Sequence, residues 1–551
     1  MNTESEAQVL IVGAGPIGLT TGILLTLNGI PCRIIDKNNR IPSKEYFSRA
    51  LGLHARTLEV FEDIGVIKNI MTKGRIINGI GFYVEGRRVT GVSFRELPTS
   101  YPFMLSIPQS DTESILEARL NELGVFVERQ TELVDIVQSD LFVTAQIRLP
   151  DGFLQTQAYA FVVGTDGFRS KVRDLCNIPF DGSEYEESWL LAESYLSRDF
   201  PSDEANVVIS KNSCFAVVPM PDGKTRVTGP DTSSMKDVDE VDLALFDTAL
   251  KEMGALANIS YTDPEQVTRF RVHKRLARHY AKHRVFLAGD AAHVHSPGGG
   301  QGLNTGVLDA YNLIWRLNLV IKEQATFALM DDYEVERRHA GEVTVFGTDK
   351  AMQMLRSNRS AMSKSITNLV LPWLMKSNFG KQLAANMSQI FNHYRHNYTE
   401  QEQDYYNCSI QLGDPLLRVV PPIDVAGDPL KIQPNGKFTF LVFSAHMKNE
   451  ALTAELKKLV AVAKNYQNFF RLILIADAPM QSLPDVELVF DKSRYIHNAF
   501  GMNEPGAYVC RPDGIIASRT KSANFEYVFD TFIQKSLRLR TNESSAMRAS
   551  A

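Results

Sequence analysis

Apolar positions follow two rhythms along this chain. A continuous run at 9–12 predicts a strand buried on both faces, and a second run at 33–35 predicts its neighbour. In 48–66, Leu53, Leu58, Phe61 and Ile64 recur near helical spacing, so most of that segment is expected to be an amphipathic helix. Short runs at 206–209, 214–219 and 225–228 are rich in β-branched residues and broken by Asn, Pro, Asp and Gly, the pattern of antiparallel strands. If they form a sheet, Phe215, Val217 and Met220 are candidates for an apolar pocket by alternation, with ordinary sheet packing the simpler reading of each. Towards the end, apolar runs at 438–445 and 470–477 flank a helix with an apolar face at Leu452, Leu456, Leu459 and Val460, and 507–519 adds further strand.

No residue from Ala7 to Cys32 is charged, which raises the question of a membrane span or signal sequence. Three glycines in six residues, a proline, Gln8 and Asn28 argue against a span, and Glu4 and Glu6 stand where a signal would be basic. The 551 residues are enough for more than one domain. Fifty-nine basic and 64 acidic residues are well mixed, with a net charge of −5, so neither nucleic acid nor a membrane surface is implied as a partner. Five scattered cysteines form no CxxC pair, which fits a reducing cytoplasm and excludes the usual zinc spacing.

The first run opens into a turn whose chemistry is specific. Gly13, Gly15 and Gly18 form GxGxxG, with Ala14 and Pro16 between them. In the strand–turn–helix reading, Gly13 permits the turn, Gly15 lets backbone approach a pyrophosphate, and Gly18 lets helix lie on strand. The amides at the helix start then meet the phosphate charge. Asp36, at the end of the second run and followed by Lys37, is placed to accept hydrogen bonds from a ribose diol. Far along the chain, a strand at 285–287 delivers Asp290 at its end, where a carboxylate can hold ribityl hydroxyls. The glycines at 298–300 would let backbone approach a flat ring, and Gly302, Leu303 and Asn304 start a helix whose positive end would face accumulating negative charge.

Asp166 and Gly167 in GTDGFRS, together with Gly289 and Asp290 in LAGDAAH, form a pair that resembles the class A FAD-dependent aromatic hydroxylases. The likeness runs from about Val9 to Arg338, including Tyr333, Glu336 and Arg337, and is nearest to the phenol hydroxylase, chlorophenol monooxygenase and aromatic polyketide hydroxylase branch. The resemblance implies FAD as cofactor and NADPH or NADH as co-substrate. It places Asp290 on the cofactor's chain, Pro297 beside the isoalloxazine, and the backbone amides of Leu303 and Asn304 on its carbonyl edge. It makes Arg49 the flavin-adjacent arginine, puts Arg56 in an RT pair, and sets Gln109 near the ribose or pyrophosphate. His293 and His295 read as packing histidines.

The implied fold class is α/β. A Rossmann-type FAD-binding domain (1–180 and 276–345) carries an inserted mixed or antiparallel β-sheet substrate domain (181–275), and a helical segment and linker (346–425) follow. The chain then ends in a thioredoxin-like domain (426–540) and a tail (541–551). That domain lacks CxxC: Ser444, Ala445, His446 and Met447 stand where the pair would open the helix, and Cys510 has no partner in sequence. It reads as a structural or dimer-forming appendage, and a homodimer is a family expectation.

In the implied cycle, NAD(P)H reduces the flavin, dioxygen gives a flavin C(4a)-hydroperoxide, and one oxygen hydroxylates an electron-rich aromatic ring. The protein's share is exclusion of water, placement of the ring and tuning of the flavin, so no conventional catalytic dyad is expected. Where simple phenol hydroxylases carry an aspartate in ADGL, this chain has Ala50, Leu51, Gly52 and Leu53, which points away from phenol itself. The alternatives are a flavin reductase that does not use oxygen, an antibiotic-inactivating monooxygenase and a non-catalytic flavin scaffold. A halogenase is disfavoured because Trp189, Trp315 and Trp373 form no WxWxIP segment.

Overall fold

A computed structural model describes residues 7–39, 50–84, 86–197, 200–210, 213–234, 241–252, 261–297, 299–357, 372–398, 410–416, 436–481 and 483–536. Arg49, part of the expected helical segment and linker, and the tail lie outside these residues. The chain divides into two compact units. One comprises 1–97, 101–314 and 333–389; the other comprises 98–100, 315–332 and 390–551.

The first unit is organised by a six-stranded sheet in the order Ala281–Lys282, Val285–Leu287, Phe161–Gly164, Val9–Val12, Cys32–Asp36, Val127–Arg129. All pairings are parallel except that of the Ala281–Lys282 edge strand. Val9 to Val12 are buried throughout, as a central strand covered on both faces requires. The three motif strands, at 9, 161 and 285, are adjacent and run the same way, so the loops that follow them emerge at one end of the sheet.

A seven-stranded sheet in the same unit runs Tyr261–Phe270, Trp189–Leu196, Thr225–Pro230, Cys214–Pro219, Glu204–Ile209, Gly79–Val84, Arg87–Ser93. It recruits its last two strands from 79–93, outside the segment 181–275 that sequence assigned to a sheet, through a parallel pairing of Glu204–Ile209 with Gly79–Val84. Local alternation could not show this, because the pairing joins strands about 125 residues apart. Phe215 and Val217 pack with Leu190, Val227 and the helix Leu243–Glu252 in an ordinary core, and Met220 is buried at a hairpin. The segment 48–66 also divides: Gly52–Leu53 is a short strand and only Ala55–Asp63 is helical.

The second unit has a five-stranded sheet with Phe438–Phe443 at its centre. Phe470–Ala476 and then Val486–Phe490 run parallel to it on one side, while on the other Gly506–Cys510 pairs with it antiparallel and Ile516–Thr520 pairs antiparallel with Gly506–Cys510. The helices Asn449–Ala463 and Phe525–Ser536 bring Leu452, Leu456, Leu459 and Phe529 against one face. Ser444 binds Asp477 through its hydroxyl at 2.8 Å, and Cys510 is fully buried. Among the described residues no helix is long and apolar enough to cross a membrane, and no group of His, Cys, Asp and Glu is arranged to hold a metal ion.

Candidate functional site

The glycine turn after the first strand is closed by its neighbours. Gly13 donates its amide to Ile35 O at 2.8 Å, and Ala14 donates to the Asp36 carboxylate at 2.8 Å, so the acid at the end of the second strand reaches back to the turn. The other Asp36 oxygen accepts from Asn38 N at 2.8 Å, and Arg129 lies 3.8 Å away. Lys37 is exposed beside it. The helix Pro16–Leu27 starts from Gly15 with no side-chain cap and no acidic residue in its first turn. A Cβ placed on Gly15 would meet nothing within 4 Å among the described residues, so the turn presents open space and uncapped amides together. That combination suits an anion such as a pyrophosphate.

The second motif locks onto the first. The Thr165 hydroxyl donates towards Gly13 O at 2.8 Å and Val12 O at 3.0 Å, beneath Gly18. Asp166 uses both carboxylate oxygens inside the protein, accepting from Ser170 Oγ at 2.5 Å and Val172 N at 3.1 Å. These bonds shape the loop, and burial pushes its carboxyl above the ordinary range. Ser170 caps the helix Lys171–Leu175, from which Arg173 donates to Ala291 O at 3.1 Å, inside the third motif.

The third motif meets the first at Ile17, against which both Gly289 and Gly306 are packed. A Cβ on Gly289 would come within 2.9 Å of Ile17 Cγ1, so no larger residue fits there without displacement. The turn Gly289–Ala291 leaves Asp290 exposed at the end of the sheet. Pro297 accepts from Gly300 N at 3.0 Å, and the helix Gly302–Ile321 begins with no acid in its first turn. Leu303 is buried. Asn304 is fully buried, and its side chain acts as a strap: Oδ1 accepts from His54 N at 2.8 Å, while Nδ2 donates to Gly52 O at 2.9 Å and Gly300 O at 2.7 Å. His54 adds a ring hydrogen bond to Gly299 O at 2.8 Å; the carbonyl can only accept, so Nε2 carries the proton. The segment at 50–54 is thus tied to the glycine loop by a residue that sequence reading passed over, because nothing in local pattern marks a histidine whose partner is 245 positions away.

Gln109 opens the helix Gln109–Glu122 and donates to Glu113 at 2.8 Å, while its oxygen faces Ala50 N at 3.4 Å. Burial, and behind it the charges of Asp36 and Glu117, raise the Glu113 carboxyl to about 7, against the opposing pull of Gln109 and Arg129. Arg129 also binds Glu117 at 2.8 Å, so one arginine serves several acids at this edge. Arg56 forms a buried pair with Glu59 at 2.5 Å. His293 bonds Asp309, and His295 contacts Ser296 O at 2.8 Å.

Burial lowers His54 and His295 to about 4, so both are neutral in the folded protein at neutral pH. Below the ordinary value of 6.5 the unfolded chain takes up these protons first. Stability from both groups is therefore complete above 6.5 and is lost as pH falls towards 4, on the order of 3 kcal/mol apiece at the acid limit. Glu113 acts oppositely, its contribution fading as pH rises from 4.5 through 7. Thermal midpoints measured between pH 4 and 8 should fall on the acid side, and more gently in His54→Gln. An unchanged acid limb in that variant would remove His54 from the account.

With this geometry in place, the chain can be set beside known proteins. Residues 6–347 match the family model described as FAD binding domain. The sequence is 30% identical over 532 residues to pentachlorophenol 4-monooxygenase of Sphingobium chlorophenolicum, covering 94% of each chain. It is 34% identical over 395 residues to 6-methylpretetramide 4-monooxygenase of Streptomyces rimosus, covering 70% of each. In fold it is similar to aklavinone-11 hydroxylase, solved with FAD and aklavinone, at a TM-score of 0.75, 21% identity, and coverage of 98% of this chain and 100% of that one.

Proposed function

From the premise that this chain belongs to the FAD-binding-domain family and is an FAD-dependent aromatic monooxygenase, we propose that it hydroxylates an electron-rich phenolic or polycyclic ring, with electrons from NADPH or NADH. The observation that carries the reading is the open, uncapped turn at Gly15 with Asp36 beside it, reached by the loops of both other motifs. These residues fit FAD. Gly13, Ala14, Gly15, Pro16 and Gly18 would receive the pyrophosphate, Asp36 with Lys37 the adenosine ribose, Gln109 the ribose or pyrophosphate, Asp290 the linking chain, and Pro297, Gly302, Leu303 and Asn304 the ring. Asp166 and Gly289, which shape the loops of the second and third motifs, would also border the cofactor.

Bound FAD supplies the transfer of electrons from the coenzyme and the activation of dioxygen. The protein's own groups hold and shield. The buried side chain of Asn304 fixes the start of a helix whose positive end favours negative charge on the ring. Leu51, buried where simple phenol hydroxylases carry an acid, cannot take a proton from a phenol, so either another group does this work or the substrate is already activated or needs no base. The domain scheme set out from sequence is retained in the proposal, with the five-stranded sheet of the second unit read as thioredoxin-like and assigned a structural or dimer-forming role. The compartment is the cytoplasm.

Steady-state NAD(P)H oxidation by the purified protein, run against phenols and polycyclic aromatics with oxygen uptake and peroxide recorded together, tests this. One aromatic should accelerate coenzyme and oxygen consumption with little peroxide; coenzyme consumption without oxygen would instead identify a reductase. Asp36→Ala should weaken FAD binding roughly 10- to 100-fold, the loss of about 1.5–3 kcal/mol from a hydrogen bond to a charged group. Fluorescence titration of apo-protein with FAD reads it, and an unchanged constant would remove Asp36 from the ribose site.

A further inference from the structure

The turn that carries Asp290 is held from behind by a buried network whose centre is Asp309. This carboxylate is fully buried and accepts three hydrogen bonds: from Gly289 N at 2.9 Å, His293 Nε2 at 2.8 Å and Arg337 Nε at 2.8 Å. Arg337 also donates to Thr305 O at 3.1 Å, tying the network to the helix Gly302–Ile321. A carboxylate can only accept, so His293 Nε2 carries a proton; its Nδ1 is buried without a hydrogen-bond partner among the described residues. Tyr280 stacks on this imidazole at 6.1 Å. Burial pushes the Asp309 carboxyl up, but Arg337 and His293 outweigh it and hold it below its ordinary value.

The groups around Asp290 are tethered one by one. Leu287 O accepts from the Tyr333 hydroxyl at 2.6 Å, Ala288 N donates to Gly164 O at 3.0 Å, Gly289 N donates to Asp309, and Ala291 O accepts from Arg173. Asp290 stands exposed among them. The same contacts explain the Tyr333, Glu336, Arg337 pattern: Tyr333 holds the strand end, Glu336 accepts from Asn312 at 2.7 Å, and Arg337 charges the clamp.

We infer that Asp309 is a positioning residue for the cofactor: with His293 and Arg337 it fixes the Gly289 amide and so aims Asp290 at FAD without touching it. The inference rests on the proposed placement of FAD. Its consequence is that removing the hydrogen bond from His293 alone should loosen FAD while the protein stays folded.

Three variants test it by FAD titration of apo-protein, with the visible circular dichroism of bound flavin and the apo-protein's thermal midpoint as second readouts. Asp309→Asn should raise the FAD dissociation constant at least tenfold. His293→Leu should raise it at least threefold and alter the flavin bands, whereas His293→Gln, which keeps a donor, should stay within twofold of wild type. If Asp309→Asn does not fold, the Leu and Gln variants at 293 decide. Wild-type constants and bands in His293→Leu, or equal losses in the Leu and Gln variants, would overturn the inference. Failure of the wild-type protein to bind FAD at all would strike the functional proposal instead.

Discussion

Gly18→Ala should fail to hold FAD and should unfold at least ~3 kcal/mol more easily than wild type, at or beyond the upper end of the usual cost of overpacking. The added methyl would press on the Gly13 carbonyl oxygen at far less than van der Waals distance and on Thr165 Oγ1 at 2.7 Å. Neither can retreat cheaply. Gly13 is committed by its amide to Ile35, and Thr165 is held by hydrogen bonds to Val12 and Gly13. The methyl would thus prise the first helix off Val9–Val12, the strand that pairs with the second motif's Phe161–Gly164. Gly15→Ala is the control, because its methyl meets no protein atom. It should unfold within about 0.5 kcal/mol of wild type, yet bind FAD weakly, since the methyl enters the space a pyrophosphate needs. Denaturant unfolding with flavin content separates the two. A Gly18→Ala protein with a normal midpoint and full flavin would falsify the close-packing argument.

Arg226→Leu should destabilise the protein by about 3–5 kcal/mol, the usual cost of leaving one member of a buried ion pair uncompensated. Glu193 and Arg226 lie opposite each other on adjacent strands of the seven-stranded sheet, with side chains 4% and 3% exposed. Arg226 Nε donates to Glu193 Oε1 at 2.8 Å, and a second guanidinium nitrogen bonds the same oxygen. Alternation sets them on the face away from Leu190, Ala192 and Val227, so two charges sit in a sheet whose other face is an apolar core. Glu193→Leu combined with Arg226→Leu should recover most of the loss, since two apolar groups carry no desolvation debt. If the double variant were as unstable as the sum of the singles, packing of the arginine stem and not the ion pair would be what the sheet needs.

Much of the cofactor site was legible from residues alone because its parts are local. A strand, a glycine turn and a helix start are consecutive in sequence, and each glycine is required by backbone that lies within a few positions, as at Gly13 and Gly18. Asp36 could be placed because parallel strands separated by one helix must be neighbours, and Ala14 does bind it. The same logic located Asp290 at a strand end. Arg49 was named from resemblance and falls outside the described residues.

What pattern could not supply were the partners. Asp166 appears in sequence as a motif acid, but folding turns its carboxylate inward to cap a helix, which only the positions of Ser170 and Val172 reveal. His54 and Asp309 gave no signal, since a histidine or aspartate in a helix or turn looks the same whether it faces water or a backbone amide from a distant loop. The seven-stranded sheet drew two strands from 79–93 for a similar reason: edge pairing depends on which backbone groups remain open after collapse. Sequence by itself therefore determined the glycine turn proposed to receive the cofactor, because its form is set by backbone freedom and strand order over short spans. Tertiary structure decided which buried polar groups satisfy one another across hundreds of residues, because every such group must find a partner once water is excluded, and many different pairings are compatible with the same local pattern.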